Sequence, residues 1–499
     1  MKSISNNIEI QKSDKTYNVS MFIGIVFSLL TTILCEMFFN SINLGPKNID
    51  FISRVTVVFL TIFSIYGFYV RSSIKKDLKI KNFITIFMVL FLSIIVLKFF
   101  QFLTDALINE IQSSDYGFKL TSTELTLAFP MATGALLIQS VMNTRMAAMF
   151  VFIWSAIIGF YFVDTIFLFL FTISSSLVAV SSVVKVRSRG VYLRAGLNIA
   201  LLSIPFSLII LLSSESFVYI DFLICIFSGL LGGLFCYLIA SGLTPILEHL
   251  GNYVTDMRLI EIATLDHPLL NELSIQASGT WNHSMVMGMM GEMASDLVGA
   301  NPVLVRTGAY FHDIGKIKKT MYFIENQQGE DNPHDKLTPS MSALIIKSHV
   351  KEGVEMAQKY KLPSLVIDMI KEHHGTSLIE YFYNKALSDQ KDNAEEVDEL
   401  LYRYPGPKPQ SKEAGILMLA DCIEASVRAL PEHTKDNIQV LVKKMINKIF
   451  AAGQLDECDL TLNDLYKIAG SFVKTLTGIY HQRIAYVDNK EANVNTILK

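Results

Sequence analysis

The sequence predicts an all-α protein in two parts, a multi-span transmembrane helix bundle followed by a helical cytoplasmic domain. Three observations carry this. Hydrophobic residues make up 51% of the 499 and charged ones only 18%, against roughly 25% charged in soluble globular chains. Apolar runs of bilayer-spanning length, roughly 17–25 residues, follow one another down to about residue 247. All 10 histidines lie between His249 and His481, so the first 248 residues hold none.

Eight apolar runs are read as spans: 19–40, 51–70, 83–103, 124–142, 146–163, 165–184, 194–213 and 217–245. A polar N-terminal tail, 1–18, precedes them, and the first run lacks a small-residue cleavage site, so it is expected to be an anchor and not a cleaved signal. The fifth and sixth runs form one stretch broken near Asp164; counting them as one would leave seven spans. Loop charge decides the orientation, because cytoplasmic loops carry the excess of Lys and Arg. With the N-terminus in the cytoplasm, inner loops hold Lys2, Lys12, Lys15, Arg71, Lys75, Lys76, Lys79, Lys81, Arg145, Lys185, Arg187, Arg189 and Arg194, thirteen in all, and outer loops hold only Lys47, Arg54 and Lys119. Eight spans satisfy this count, and seven would put the last basic loop and the C-terminal half on opposite sides. The expectation is a multi-pass protein of the cell (inner or plasma) membrane, with its N-terminus and residues 248–499 in the cytoplasm.

Glu36, Lys98 and Asp164 are the few ionisable residues read in or between the spans away from the loops, each near a predicted membrane edge where snorkelling suffices. No midplane charge marks an ion pathway, so the region 19–247 is expected to anchor, to form a homo-oligomer or to sense a signal. The outer loops are short, so no large external domain is expected. A net charge of −3 argues against a nucleic-acid partner held by bulk positive charge. Cys35, Cys225, Cys236, Cys422 and Cys458 form no CxxC pair and read as small buried hydrophobes.

From about residue 248 the pattern becomes that of amphipathic helices, with few alternating strand patterns. Leu259, Ile260, Ile262 and Leu265 begin one helix, Gly299-Ala300-Asn301-Pro302 reads as a stop followed by a new start, and Val303–Phe311 forms another apolar face. The acidic stretch 388–399 reads as a mobile loop. Tyr404-Pro405-Gly406-Pro407-Lys408-Pro409 is excluded from a helix interior, since prolines remove donors and fix the backbone. A helix resumes near Lys412 and carries Asp421.

His283, His312-Asp313, His349, His373-His374 and Asp421 lie on or beside these apolar helices, at spacings of 29, 37, 24 and 47 residues. Imidazole and carboxylate ligands without thiolate suit Mn, Fe or Zn. Aspartate oxygens can bridge two ions, and metal pairs roughly 3.5–4 Å apart are a common phosphoester-cleaving device, activating water and neutralising charge on the phosphorus oxygens.

That ordered set resembles the HD superfamily of metal-dependent phosphohydrolases, with His312-Asp313-Ile314-Gly315 as its HDIG variant. One branch is closer still. Gly279-Thr280-Trp281-Asn282-His283-Ser284, Gly299-Ala300-Asn301-Pro302, Asn332-Pro333-His334-Asp335-Lys336, His373-His374-Gly375-Thr376-Ser377 and Arg403-Tyr404-Pro405-Gly406-Pro407-Lys408-Pro409-Gln410 all look like the PgpH-type seven-transmembrane HD proteins, over about 255–485. The resemblance implies a cytoplasmic HD domain that hydrolyses the second messenger cyclic di-AMP to pApA with two divalent transition-metal ions, Mn or Fe. It implies that His283, His312, Asp313 and Asp421 hold one ion, and that His349, His373 and His374 hold the other, with Asp313 bridging. Lys316 is expected to face substrate phosphate as a point charge. No side chain resembles a nucleophile, so activated water is expected to attack phosphorus and the 3′ oxygen to leave.

The chain departs from the family in two places. Asn282 stands where His is common, and only residues 41–50 separate the first two spans where a large external domain is usual. His334 and the 403–410 loop are read as surface, substrate-lining or plain structural features; His249, His267, His433 and His481 fit no spacing. A cyclic di-GMP or mononucleotide substrate, and a non-catalytic nucleotide receptor, are the competing readings. The first is weakened because Thr376-Ser377, and not Tyr-Pro, follow Gly375; the second because no ligand of the set is missing.

Overall fold

The computed structural model describes residues 2–39, 51–72, 80–113, 122–162, 166–183, 188–213, 219–327, 329, 331–389 and 397–480. The chain divides into two compact units, Met1–Met257 and Arg258–Lys499. Among the described residues every regular element is helical, apart from one isolated bridge between Leu378 and Arg403.

The first unit contains α1 (Lys2–Phe39), α2 (Phe51–Ser72), α3 (Ile80–Ser113), the short α4 (Ser122–Leu125), α5 (Thr133–Val141), α6 (Thr144–Tyr161), α7 (Ile166–Ser182), α8 (Gly190–Ser213) and α9 (Tyr219–Gly251). Each of the eight apolar runs is represented. Among the described residues, seven segments are long and apolar enough to cross a membrane, so the protein is multi-pass. The run 165–184 forms α7, whose 17 residues span roughly 25 Å at 1.5 Å per residue. The break foreseen near Asp164 falls between α6 and α7, and Asp164 itself lies outside the described residues.

Two details differ from the sequence reading. The run 124–142 is not one helix: α4 passes through a 3-10 turn (Thr126–Ala128), the chain extends at Phe129, and α5 starts after Pro130. Pro130 removes a backbone donor and crowds the preceding turn. The segment is 83% buried, and non-helical backbone at membrane depth is tolerated where protein covers it; the Trp154 indole N–H bonds the Met131 carbonyl there at 3.1 Å. Glu36 does not snorkel. Arg54 grips its carboxylate with two bonds of 3.0 Å, and the Tyr161 hydroxyl donates to it at 2.6 Å. Lys98 lies 4.9 Å over the Phe39 ring.

The second unit runs from α10 (Asp256–Ile262) through α11 (Pro268–Gln276), α12 (Ser278–Val298), α13 (Pro302–Phe311), 3-10 turns over Ile314–Tyr322, α14 (Pro339–Lys359), α15 (Ser364–Glu372), α16 (Glu380–Asp389), α17 (Lys412–Arg428), α18 (Lys435–Ala451) and α19 (Leu462–Ile479). α10 ends at Ile262, so Leu265 falls in the following turn and not on the helix. Residues 390–396 of the expected loop lie outside the described residues.

Local chemistry sets the helix ends that matter. Gly299 closes α12 at φ +68°, a left-handed conformation that costs glycine little. The Asn301 side chain then accepts from the Leu304 N–H at 3.1 Å, with Pro302 at the first helical position of α13. Ser411 caps α17 through the Ala414 N–H at 3.2 Å. α17 buries Ile416, Leu417, Met418, Leu419, Ala420, Ile423 and Val427, so apolar side chains point in nearly every direction and the helix is central. Asp421 and Glu424 are the buried acids of this helix.

Candidate metal centre

Five helices or helix ends deliver the seven residues to one place. His283 comes from the second turn of α12. His312 and Asp313 follow α13 where the helix gives way to the 3-10 turn. His349 lies in mid-α14, His373 and His374 end α15, and Asp421 sits on α17. Gly315 lets α14 come close: a Cβ there would stand 1.9 Å from the His349 carbonyl oxygen and 2.6 Å from the Gly353 nitrogen. The glycine of the His-Asp-Ile-Gly string therefore has a spatial reason.

Three rings are oriented alike. His312 Nδ1 donates to the Ala309 carbonyl at 2.7 Å, His349 Nδ1 to Ile346 at 2.6 Å and His373 Nδ1 to Ile370 at 2.8 Å. A carbonyl accepts only, so each Nδ1 carries its proton and each neutral ring keeps its lone pair on Nε2. The Nε2 atoms of His349 and His373 then face each other at 3.3 Å, two acceptors with no proton between them. The His312 Nε2 and Asp313 Oδ1 atoms are buried and form no hydrogen bond; His312 Nε2 lies 3.0 Å from Asp313 Oδ2, without bonding geometry. Buried polar atoms rarely stay unpaired. Lone pairs converging on a carboxylate are what a divalent cation requires, so the donor set fits a metal.

Ligand atoms of His283, His312 and Asp313 lie within 4.8 Å of one another, as do those of His349, His373 and His374, and those of His312, His373 and Asp421. The aspartates join these groups. Asp313 Oδ2 faces His312, while its Oδ1 lies 3.2 Å from His349 Nε2 and 3.8 Å from His373 Nε2. Asp421 sets Oδ1 3.1 Å from His283 Nε2 and Oδ2 3.4 Å from His374 Nδ1.

Charge follows from this geometry. Burial pushes His349 and His373 below the usual imidazole range, and His374 to about 3, so these rings are held neutral. Burial would raise the Asp313 carboxyl, but His312 and Lys316 outweigh it and hold the group ionised. Asp421 is likewise held low by His283 and His374 against burial. For His283, burial favours the neutral ring, yet Asp421 and Glu424 raise it to about 9. A proton on its Nε2 points at Asp421, where a cation would take its place.

All seven residues expected as ligands thus stand in one cluster. Lys316 stands beside the cluster, where its buried ammonium bonds Asp313 Oδ2 at 2.7 Å and Glu325 Oε1 at 2.8 Å. His334 stands outside the cluster, with Nε2 2.9 Å from the Tyr322 carbonyl. His267 caps α11 through the Leu269 N–H, and His433 stacks on Tyr480; His481 lies outside the described residues. Sequence reasoning missed Glu424, which meets His283 Nδ1; its signal was an acid one helical turn after Asp421. It also missed Glu325, and it left undecided the Tyr404 ring, which lies 4.2 Å from the His374 ring.

Known proteins resemble the chain over both units. Residues 48–255 match the family described as a 7TM receptor with intracellular HD hydrolase, and residues 280–426 match the HD domain. The chain belongs to the seven-transmembrane HD family. The first match takes in seven helical segments, α2, α3, α4–α5, α6, α7, α8 and α9, and leaves α1 ahead of them. Among curated relatives, "Cyclic-di-AMP phosphodiesterase PgpH" of Bacillus subtilis is 37% identical over 375 residues, 74% of this chain and 52% of the relative. The protein of the same name from Listeria monocytogenes is 39% identical over 324 residues, 64% of this chain and 45% of the relative. The chain therefore spans about half the length of these relatives. A crystal structure of the L. monocytogenes PgpH HD domain in complex with cyclic di-AMP is 43% identical, covering 43% of this chain and 98% of that one, with a TM-score of 0.41.

Proposed function

We propose that this seven-transmembrane HD protein is a membrane-anchored, metal-dependent phosphodiesterase that hydrolyses cyclic di-AMP to pApA. The observation that carries the hydrolase reading is Asp313, one oxygen turned to His312 and the other to His349 and His373. The substrate reading draws on the two PgpH relatives, each named for cyclic di-AMP.

His283, His312, Asp313 and Asp421 would hold one divalent ion, and His349, His373 and His374 the other, with Asp313 shared; Mn or Fe suits this donor set. Such a pair supplies water activation and charge neutralisation at phosphorus. The protein contributes orientation. Backbone carbonyls fix the His312, His349 and His373 rings, and Lys316, itself held by Glu325, grips Asp313 from behind. Tyr404 covers His374 and also lines a cleft of about 1160 Å³ with Lys318, Lys347, Lys351, Lys371 and Arg403. Glu352 and Glu355 share that wall, paired with Lys319 at 3.0 Å and Lys318 at 3.8 Å. The net positive lining suits a substrate with two phosphates, and the Tyr404 ring offers a stacking face for a base. Lys316 is kept as the residue nearest the reacting phosphate, released from Asp313 to the degree that cations take over that carboxylate.

The same reading divides the chain into an N-terminal tail, 1–18, a membrane region, 19–247, and a cytoplasmic hydrolase domain, 248–499, the side being assigned from the thirteen-to-three distribution of basic residues. Purified full-length protein in detergent with Mn, offered cyclic di-AMP and cyclic di-GMP side by side, tests the substrate. Formation of pApA, faster than any cleavage of cyclic di-GMP, is the expected result. Cleavage of cyclic di-GMP alone, or of neither with metal bound, would overturn it.

A further inference from the structure

We propose that Glu424 is the positioning residue that fixes His283 for metal binding, and that ion affinity in the His283–His312–Asp313–Asp421 half of the centre depends on it. The proposal rests on reading the cluster as a two-ion centre. His283 differs from the other oriented rings. His312, His349 and His373 each turn Nδ1 to the carbonyl three residues earlier, a partner that their own backbone supplies. The His283 Nδ1 faces a side chain on another helix, the Glu424 carboxylate of α17. Its orientation is therefore imposed by tertiary structure.

Glu424 is itself held. The residue is fully buried, and its Oε1 accepts from Arg428 Nε at 3.1 Å, Arg428 Nη2 at 2.7 Å and the Tyr480 hydroxyl at 2.9 Å. Donors from α12, α17 and the residue that ends α19 thus converge on one carboxylate. A buried carboxylate is costly unless fully satisfied, and this one stands on a helix otherwise packed by apolar side chains. Tyr480 is braced in turn by the His433 ring, stacked at 4.7 Å and 12°. With Nδ1 donating to Glu424, a cation that takes the place of the Nε2 proton would meet the His283 lone pair there, on the atom facing Asp421. A charged acceptor also makes the ring a stronger donor to a cation than a carbonyl does, and such outer partners are commonly worth 10–100-fold in metal affinity.

Metal-free full-length protein in detergent micelles, titrated with Mn²⁺ alone, tests this. Wild type is expected to take two ions. Glu424→Ala should weaken one of them by about 10–100-fold and leave the other within a few-fold. Glu424→Gln keeps an acceptor oxygen but not the charge, so a smaller weakening of the same ion is expected. For both variants kcat should return as Mn²⁺ is raised, with KM for the dinucleotide near wild type. Wild-type affinity in both variants, or equal weakening of both ions, overturns the assignment, because a merely structural role would not single out one ion. If circular dichroism shows Glu424→Ala unfolded, Glu424→Gln decides alone: selective weakening supports the proposal and unchanged affinity overturns it. A wild-type protein that binds two ions but leaves cyclic di-AMP intact overturns the substrate reading and not this one; a wild-type protein that binds none overturns both.

Discussion

Asp313 Oδ1 lies 3.2 Å from His349 Nε2, although the two residues belong to different helices and to different halves of the cluster. The other oxygen of the same carboxylate is occupied by His312 and Lys316. A single side chain thus faces both the α13 end and α14.

Asp313→Ala should abolish turnover, with a loss exceeding the roughly 100-fold expected for an outer contact. It should also lower the ion content below two per chain. Turnover assays and elemental analysis of the same preparation check this. Wild-type turnover would remove Asp313 from the site.

Gly315→Ala should damage the site without touching a ligand. The added Cβ meets the His349 carbonyl and the Gly353 nitrogen, both backbone, so α14 must retreat. Overpacking of this kind costs about 1–3 kcal/mol. Denaturant unfolding should show that loss, together with a fall in ion content; an unchanged midpoint would mean that α14 does not rest on this glycine.

These two positions show what was legible. The His and Asp positions, the Gly299–Pro302 stop and start, the non-helical Tyr404–Pro409 segment and the eight apolar runs are local signals, and local signals survive folding. The partner of Lys316 was not legible, because Glu325 arrives from a separate 3-10 turn, Ile324–Asn326. Glu36 was read as an edge residue because Arg54 and Tyr161 belong to other helices. Glu424 escaped notice, although it follows Asp421 by one helical turn, because its partner His283 arrives from α12. Long-range pairing accounts for each of these.

Removing metal should destabilise the second unit. A ligand bound only by the folded state stabilises it by about 2.7 kcal/mol at 100 times its Kd. Chelation should therefore lower the thermal midpoint, and Mn or Fe should restore it where Mg, which prefers oxygen ligands and its own water, restores little. An unchanged midpoint on chelation would argue against a tightly held ion.

Glu36→Gln should weaken the first unit. The substitution leaves Arg54 without its bidentate partner, and breaking a buried pair costs about 3–5 kcal/mol. Arg54 is 20% exposed, so about 1–3 kcal/mol is expected after solvent screening. Thermal stability in detergent should fall while ion content in the second unit stays at the wild-type level; loss of bound metal would show that the two units are not independent in this respect.

The most direct test is anomalous diffraction from crystals of the Mn-loaded protein. The account predicts two anomalous peaks roughly 3.5–4 Å apart, one beside His283, His312 and Asp421, the other beside His349, His373 and His374, with Asp313 between them. A single peak, or two peaks that Asp313 does not join, would contradict it.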